Sequence, residues 1–217
     1  PYQDGSHQVI PWHLLEPTRG NYDWTELDEY VADRAGYGLH IGLGFNTVDY
    51  SPYHCASVGG SQCWAGDNRE DRIWLPADML DVADQNVTYV VCPLDSTYPR
   101  HRLPKYWSAQ YLAAYEGFVE ALAAHIVSTP VLRDNIDWIE LPIGVYGELN
   151  PGAGQDRACL QELGLTQDLW ETTVEQMIEI WVDAFAGAGI DLSFQGTNFY
   201  LDKGNRQRMN DYAAGQG

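Results

Sequence analysis

Short apolar runs alternate with longer amphipathic segments along this 217-residue sequence. That rhythm fits β/α units wound around a parallel sheet. The runs Gln8–Trp12, Leu39–Phe45, Ile136–Tyr146 and Leu192–Thr197 are the expected strands. Between the first two, Leu27, Tyr30, Val31 and Ala35 fall on one helical face, so the spacing predicts a crossover helix over residues 24–34. Residues 107–127 repeat the pattern at greater length. Thr166 reads as the N-cap of a third helix reaching Ala186, with Gly187-Ala188-Gly189 as its stop. The stretch 46–104 is far longer than an ordinary connection and follows a strand end, where α/β enzymes build their sites. Its rings Tyr50, Tyr53, Trp64, Trp74 and Tyr98 either stack on a ligand or pack the loop's own small core.

Thirty-one acidic against twelve basic side chains give a formal charge of −19, which repels phosphate backbones and anionic lipid. Nucleic acid is therefore not an expected partner. No apolar run reaches the roughly 18 residues of a membrane helix, so no membrane insertion is expected either. The start, Pro1-Tyr2-Gln3-Asp4, carries neither signal peptide nor initiator methionine and reads as that of a mature or partial product. Cys55, Cys63, Cys92 and Cys159 allow three pairings if all are oxidised, among them a local bridge between Cys55 and Cys63. Asn86-Val87-Thr88 matches the glycosylation acceptor pattern, and together with the cysteines it favours an extracellular or secreted glycoprotein. His7, His13, His40, His54, His101 and His125 show no metal-ligand spacing, and no cofactor motif is present, so none is expected.

The segment Trp12-His13-Leu14-Leu15-Glu16-Pro17-Thr18-Arg19-Gly20-Asn21-Tyr22-Asp23-Trp24 resembles the W-x-x-L-E-P-x-x-G-x-Y-D-W stretch of clan A glycoside hydrolases. These are (β/α)8-barrel (TIM-barrel) enzymes that include β-galactosidases and endoglucanases. Asn135–Glu148 resembles their fourth strand, after which a glutamate serves as general acid/base; Glu148 occupies that place. Many of these enzymes have asparagine directly before that glutamate, whereas this chain has Gly147. Glu16 reads as a turn carboxylate rather than a catalyst, with Pro17 and Gly20 shaping the turn.

The resemblance implies hydrolysis of a β-linked glycan by a retaining pair of carboxyls, which stand roughly 5–5.5 Å apart in such enzymes. Glu148 is the candidate catalytic residue, and the nucleophile is expected outside this chain. A proton donor needs surroundings that favour the protonated carboxyl, such as an apolar strand end, here beside Tyr146. Tyr146, Trp12, His13 and Asn198 are the candidate sugar contacts; for Trp12 and Asn198 core packing and turn capping are the competing roles. Glu140 is set aside, because eight extended residues would carry it about 26 Å from Glu148. A whole barrel takes about 250 residues, so residues 1–217 are expected to form barrel units two to five, with a loop insertion at about 46–104. The expected partners are a carbohydrate substrate and the rest of the barrel or a larger assembly. The alternative is an extracellular barrel that binds glycans or builds a structure without catalysis.

Overall fold

The structure, a computed structural model, describes residues 5–48, 73–92, 101–152, 156–196 and 205–216. Four strands, β1 (Gly5–Pro11), β2 (His40–Asn46), β5 (Ile136–Glu140) and β6 (Asp191–Ser193), form one sheet in the order β1-β2-β5-β6, and every pairing is parallel. A separate antiparallel pair joins β3 (Tyr89–Cys92) to β4 (His101–Pro104). The longer helices are α2 (Thr25–Ala35), α3 (Ala109–Ser128), α6 (Gln167–Ala184) and α7 (Asn205–Gln216). Single-turn or short helices occupy Trp12–Leu15 (α1), Pro130–Arg133 (α4) and Arg157–Glu162 (α5).

The crossover helices begin where their caps say. Ser108 Oγ accepts from Tyr111 N at 3.1 Å, and Thr166 Oγ1 accepts from Leu169 N at 3.2 Å, each satisfying an N-terminal donor that the helix itself leaves unpaired. Gly187 and Gly189, at φ +75° and +73°, turn the chain out of α6 toward β6. One face of the sheet carries Ile41, Leu43 and Phe45 into the helices: Phe45 meets Phe118 of α3 edge-on at 6.1 Å and stacks on Trp181 of α6 at 6.0 Å. A bulge in β5 keeps that face apolar. Ile136 pairs with Ile41 and Ile139 with Leu43, so both isoleucines are buried although three residues apart, and Asp137 is the extra residue between them.

Three expectations need correction. The third strand does not run from Ile136 to Tyr146: it stops at Glu140, and a 3-10 turn over Val145–Gly147 follows. Leu141, Ile143 and Val145 look strand-like because they are buried, but they are buried by a folded-back loop. Likewise the first strand ends at Pro11, and Trp12 opens a helical turn instead of closing the strand. Nor is the described part of 46–104 without structure, since it holds β3, β4 and 3-10 turns at Ala77–Leu80 and Val82–Asp84. Cys92 of β3 is bonded to Cys159 of α5, closing a loop of 67 residues in sequence separation, which restricts the unfolded chain. Cys55 and Cys63 lie outside the described residues, as do Tyr50, Tyr53, His54, Trp64 and Tyr98.

The 12–24 segment folds as a tight turn around one buried carboxylate. Glu16 is 2% exposed and accepts from Trp12 Nε1 and from the Gly20 backbone N–H, both at 2.6 Å. Gly20 needs φ +73° to present that N–H. Burial pushes the Glu16 carboxyl above its ordinary value, outweighing the two hydrogen bonds and Arg19, which pull it down. An acid with a raised folded-state pKa binds protons more tightly folded than unfolded, so it adds stability as pH falls through that window and loses it as pH rises. Wild-type protein should therefore gain urea resistance relative to Glu16→Gln between neutral pH and about pH 4.5, the ordinary value. A difference that stays flat with pH would remove this assignment.

Candidate functional site

Glu148 is positioned by a loop that is anchored at nearly every residue. Leu141 N donates to Ser193 O at 2.7 Å, continuing the β5–β6 ladder by one bond. The Tyr115 hydroxyl of α3 then reaches Pro142 O at 3.4 Å, and itself accepts from Trp181 Nε1 at 2.7 Å. Val145 N donates to Asn150 O at 2.9 Å, and Trp170 Nε1 of α6 donates to Leu149 O at 3.3 Å. Gly144 is where the two arms of the loop touch: a methyl group there would stand 2.3 Å from Asn150 O and 2.6 Å from Glu148 O, so only a bare Cα fits. Glu148 itself re-enters the sheet through a parallel bridge to Gln195, beyond the C-terminal ends of β5 and β6. It is half-buried, between the buried residues Gly147 and Leu149.

The sheet face opposite the helices is of another kind. His7, Gly42, Trp138 and Asp191 form one row across it, and Val9, Gly44, Glu140 and Ser193 form the next row toward the C-terminal edge. His7, Asp191 and Ser193 are exposed, and Val9, Trp138 and Glu140 are half-buried. The two glycines of β2 make room for rings. A methyl group on Gly42 would stand 2.2 Å from the Trp138 indole, and one on Gly44 would stand 3.2 Å from His7 Nε2. Trp138 and His7 stack at 4.9 Å across them.

Glu140 belongs to this face, and its separation from Glu148 is not the span of an extended strand. Because the loop folds back, a methyl group on Gly147 would lie 2.9 Å from Glu140 Oε1. The carboxylate of Glu140 therefore lies against the backbone of the residue before Glu148. Its side chain is 13% exposed, and its Oε2 is 3.8 Å from His7 Nε2. Pro142 and Gly144, which break the apolar run after Glu140, are the sequence signal that could have revealed the fold-back. Gly147 also acquires a reason: φ +76° lies in the left-handed region that glycine adopts without strain, and a side chain there would crowd the Glu140 carboxylate.

The other expected site residues are dispersed. Trp12 is 1% exposed and sits in the aromatic core, at 5.1 Å from Phe118 and 6.0 Å from both Tyr111 and Tyr115. Its indole faces the helices, so of its two expected roles it takes core packing. His13 is 7% exposed at the C-terminal end of β1, its ring 6.4 Å from that of Trp74, and its backbone N–H donates to Trp74 O at 3.0 Å. Trp74 N in turn donates to Thr47 O at 2.7 Å, so the 73–75 segment covers the ends of β1 and β2. Tyr146 is the middle residue of the turn leading into Glu148. Asn198 lies outside the described residues. Among the described residues, no group of three or more His, Cys, Asp or Glu side chains could hold a metal ion.

No protein-family model matches this chain, and no curated protein matches it. Among solved structures, it is similar to the catalytic domain of a beta-amylase from Paenibacillus polymyxa, with a TM-score of 0.58 at 13% sequence identity. The match covers 87% of this chain and 58% of that one, so the chain spans somewhat over half the length of the structure it resembles. What the two share is a fold.

Proposed function

We propose that this chain is part of the catalytic (β/α)8 barrel of a glycoside hydrolase, with Glu148 as the proton donor to the leaving oxygen. The observation that carries the reading is the position of Glu148: past the C-terminal edge of a parallel sheet, on a loop anchored from both sides, next to a sheet face lined by His7, Trp138 and Glu140. Ligands of parallel α/β folds bind at the C-terminal ends of the strands, and a proton donor must be held on a rigid support. The fold shared with a beta-amylase catalytic domain supports the same reading. In its finer form, drawn from the resemblance of residues 12–24 and 135–148 to clan A enzymes, the substrate is a β-linked glycan and the reaction retains anomeric configuration. A second carboxyl, about 5–5.5 Å from that of Glu148, completes the pair.

His13 and Tyr146 remain candidate sugar contacts in this reading, because both belong to segments at the C-terminal ends of strands. The disulfide between Cys92 and Cys159 supports an oxidising, extracellular location. Among the described residues, no helix is long and apolar enough to cross a membrane. Gly147, in place of asparagine, favours one other reading: a barrel that binds glycans without cleaving them. Presenting the full-length protein with paired α- and β-linked oligosaccharides, and following the first-formed anomer by proton NMR, separates these possibilities. Release of a β-anomer from a β-linked substrate is the expected result. Cleavage of α-linkages only, or inversion, would overturn the finer form. Saturable binding without turnover would replace the enzyme by the binding protein.

A further inference from the structure

We infer that Glu140, steadied by His7, is a positioning residue for Glu148 and acts through Gly147; the inference rests on reading Glu148 as the proton donor. Glu140 is the last residue of β5 and lies in the row Val9, Gly44, Glu140, Ser193. A carboxylate at 13% exposure on the inside of a strand is costly unless something offsets its lost hydration. Among the described residues, His7 supplies a basic group there, with Nε2 at 3.8 Å from Oε2, and bare Gly44 leaves the imidazole the space to stand there.

The other carboxylate oxygen faces Gly147. Its φ of +76° lies in the left-handed region that glycine adopts without strain, and a methyl group there would stand 2.9 Å from Glu140 Oε1 and 3.6 Å from Leu141 O. The peptide leading into Glu148 is thus supported from below by a carboxylate. On the far side, bare Gly144 packs against Glu148 O. The direction in which Glu148 leaves the backbone is fixed between these two contacts. Shortening Glu140 opens a space under Gly147 into which the 3-10 turn can settle, and a shift of about 1 Å in a reacting group can cost on the order of a hundredfold in rate.

The role is one of shape, so its test is a set of substitutions that change shape and charge separately. In the full-length protein, Glu140→Ala should lower kcat by roughly 10- to 100-fold with KM within about threefold, whereas Glu140→Gln, which fills the same volume, should keep at least about a third of wild-type kcat. Gly147→Ala disturbs the contact from the other side and should lower kcat in the same way even if Glu140→Ala folds poorly. Crystal structures of wild-type and Glu140→Ala protein give a readout independent of activity: the Glu148 carboxyl should be displaced by about 1 Å or split between two positions. The inference is overturned by unchanged kcat in Glu140→Ala, by a Glu140→Gln variant as damaged as Glu140→Ala, or by a Glu148 carboxyl that does not move. If wild-type protein cleaves no glycoside, the glycosidase reading fails on its own, and the position of Glu148 in the two structures still decides whether Glu140 places it.

Discussion

Glu148→Gln is expected to lower kcat on unactivated glycosides by about 10²- to 10⁴-fold while leaving the protein folded. Glutamine matches the shape of glutamate but has no acidic proton, so a leaving oxygen that needs protonation departs unassisted. The same oxygen departs with little help from activated aryl glycosides, and the loss on those substrates should be much smaller. Stability should barely change, because Glu148 is half-buried and no ion pair among the described residues holds its carboxyl. Its place depends on backbone contacts instead: Val145 N to Asn150 O, Gly144 against Glu148 O, and the bridge to Gln195. Circular dichroism and a thermal melt beside the kinetics check both halves. Undiminished turnover would remove Glu148 from the mechanism, and a collapsed melt would make it a structural residue.

Trp12→Ala should cost about 3–5 kcal/mol of stability, the range for deleting a large buried aromatic side chain. The indole is 1% exposed, its ring meets Phe118, Tyr111 and Tyr115, and its Nε1–H satisfies one oxygen of the buried Glu16 carboxylate. Both the packing and the hydrogen bond are lost in the alanine variant. Trp12→Phe separates them: most of the apolar contact remains, while Glu16 keeps only the Gly20 N–H, at a cost of about 1–3 kcal/mol for the unpaired buried oxygen. Urea denaturation midpoints measure both variants. A Trp12→Ala variant of wild-type stability that had lost glycan affinity would return the ring to the sugar site.

The parallel sheet and its crossover helices were legible because their signals are local. Leu27 and Val31 on α2, the Thr166 cap and the Gly187–Gly189 stop all report their own surroundings. Burial misled where it came from distant contacts. Leu141, Ile143 and Val145 form an alternating apolar run that reads as strand, yet they are covered by a loop whose shape is set by Tyr115, Trp170 and Asn150, residues remote or later in the chain. The antiparallel pair β3–β4 leaves little trace in the sequence, because Tyr89–Cys92 is only four residues long and its partner follows after an intervening segment. Spacing alone could not select Cys92–Cys159 from three possible pairings. At the site, Glu148 is legible through the resemblance of residues 135–148, whereas the nearness of Glu140 is hidden because the strand ends at Glu140 and the chain folds back after it.

The most direct test of Glu148 as proton donor is a crystal structure of the full-length Glu148→Gln protein with an uncleaved oligosaccharide bound. The amide at position 148 should lie within about 3 Å of a glycosidic oxygen, the reach a general acid requires, with the sugar across the C-terminal ends of the strands. An oligosaccharide bound on the helical side, or with its glycosidic oxygens beyond hydrogen-bond reach of position 148, would contradict the assignment.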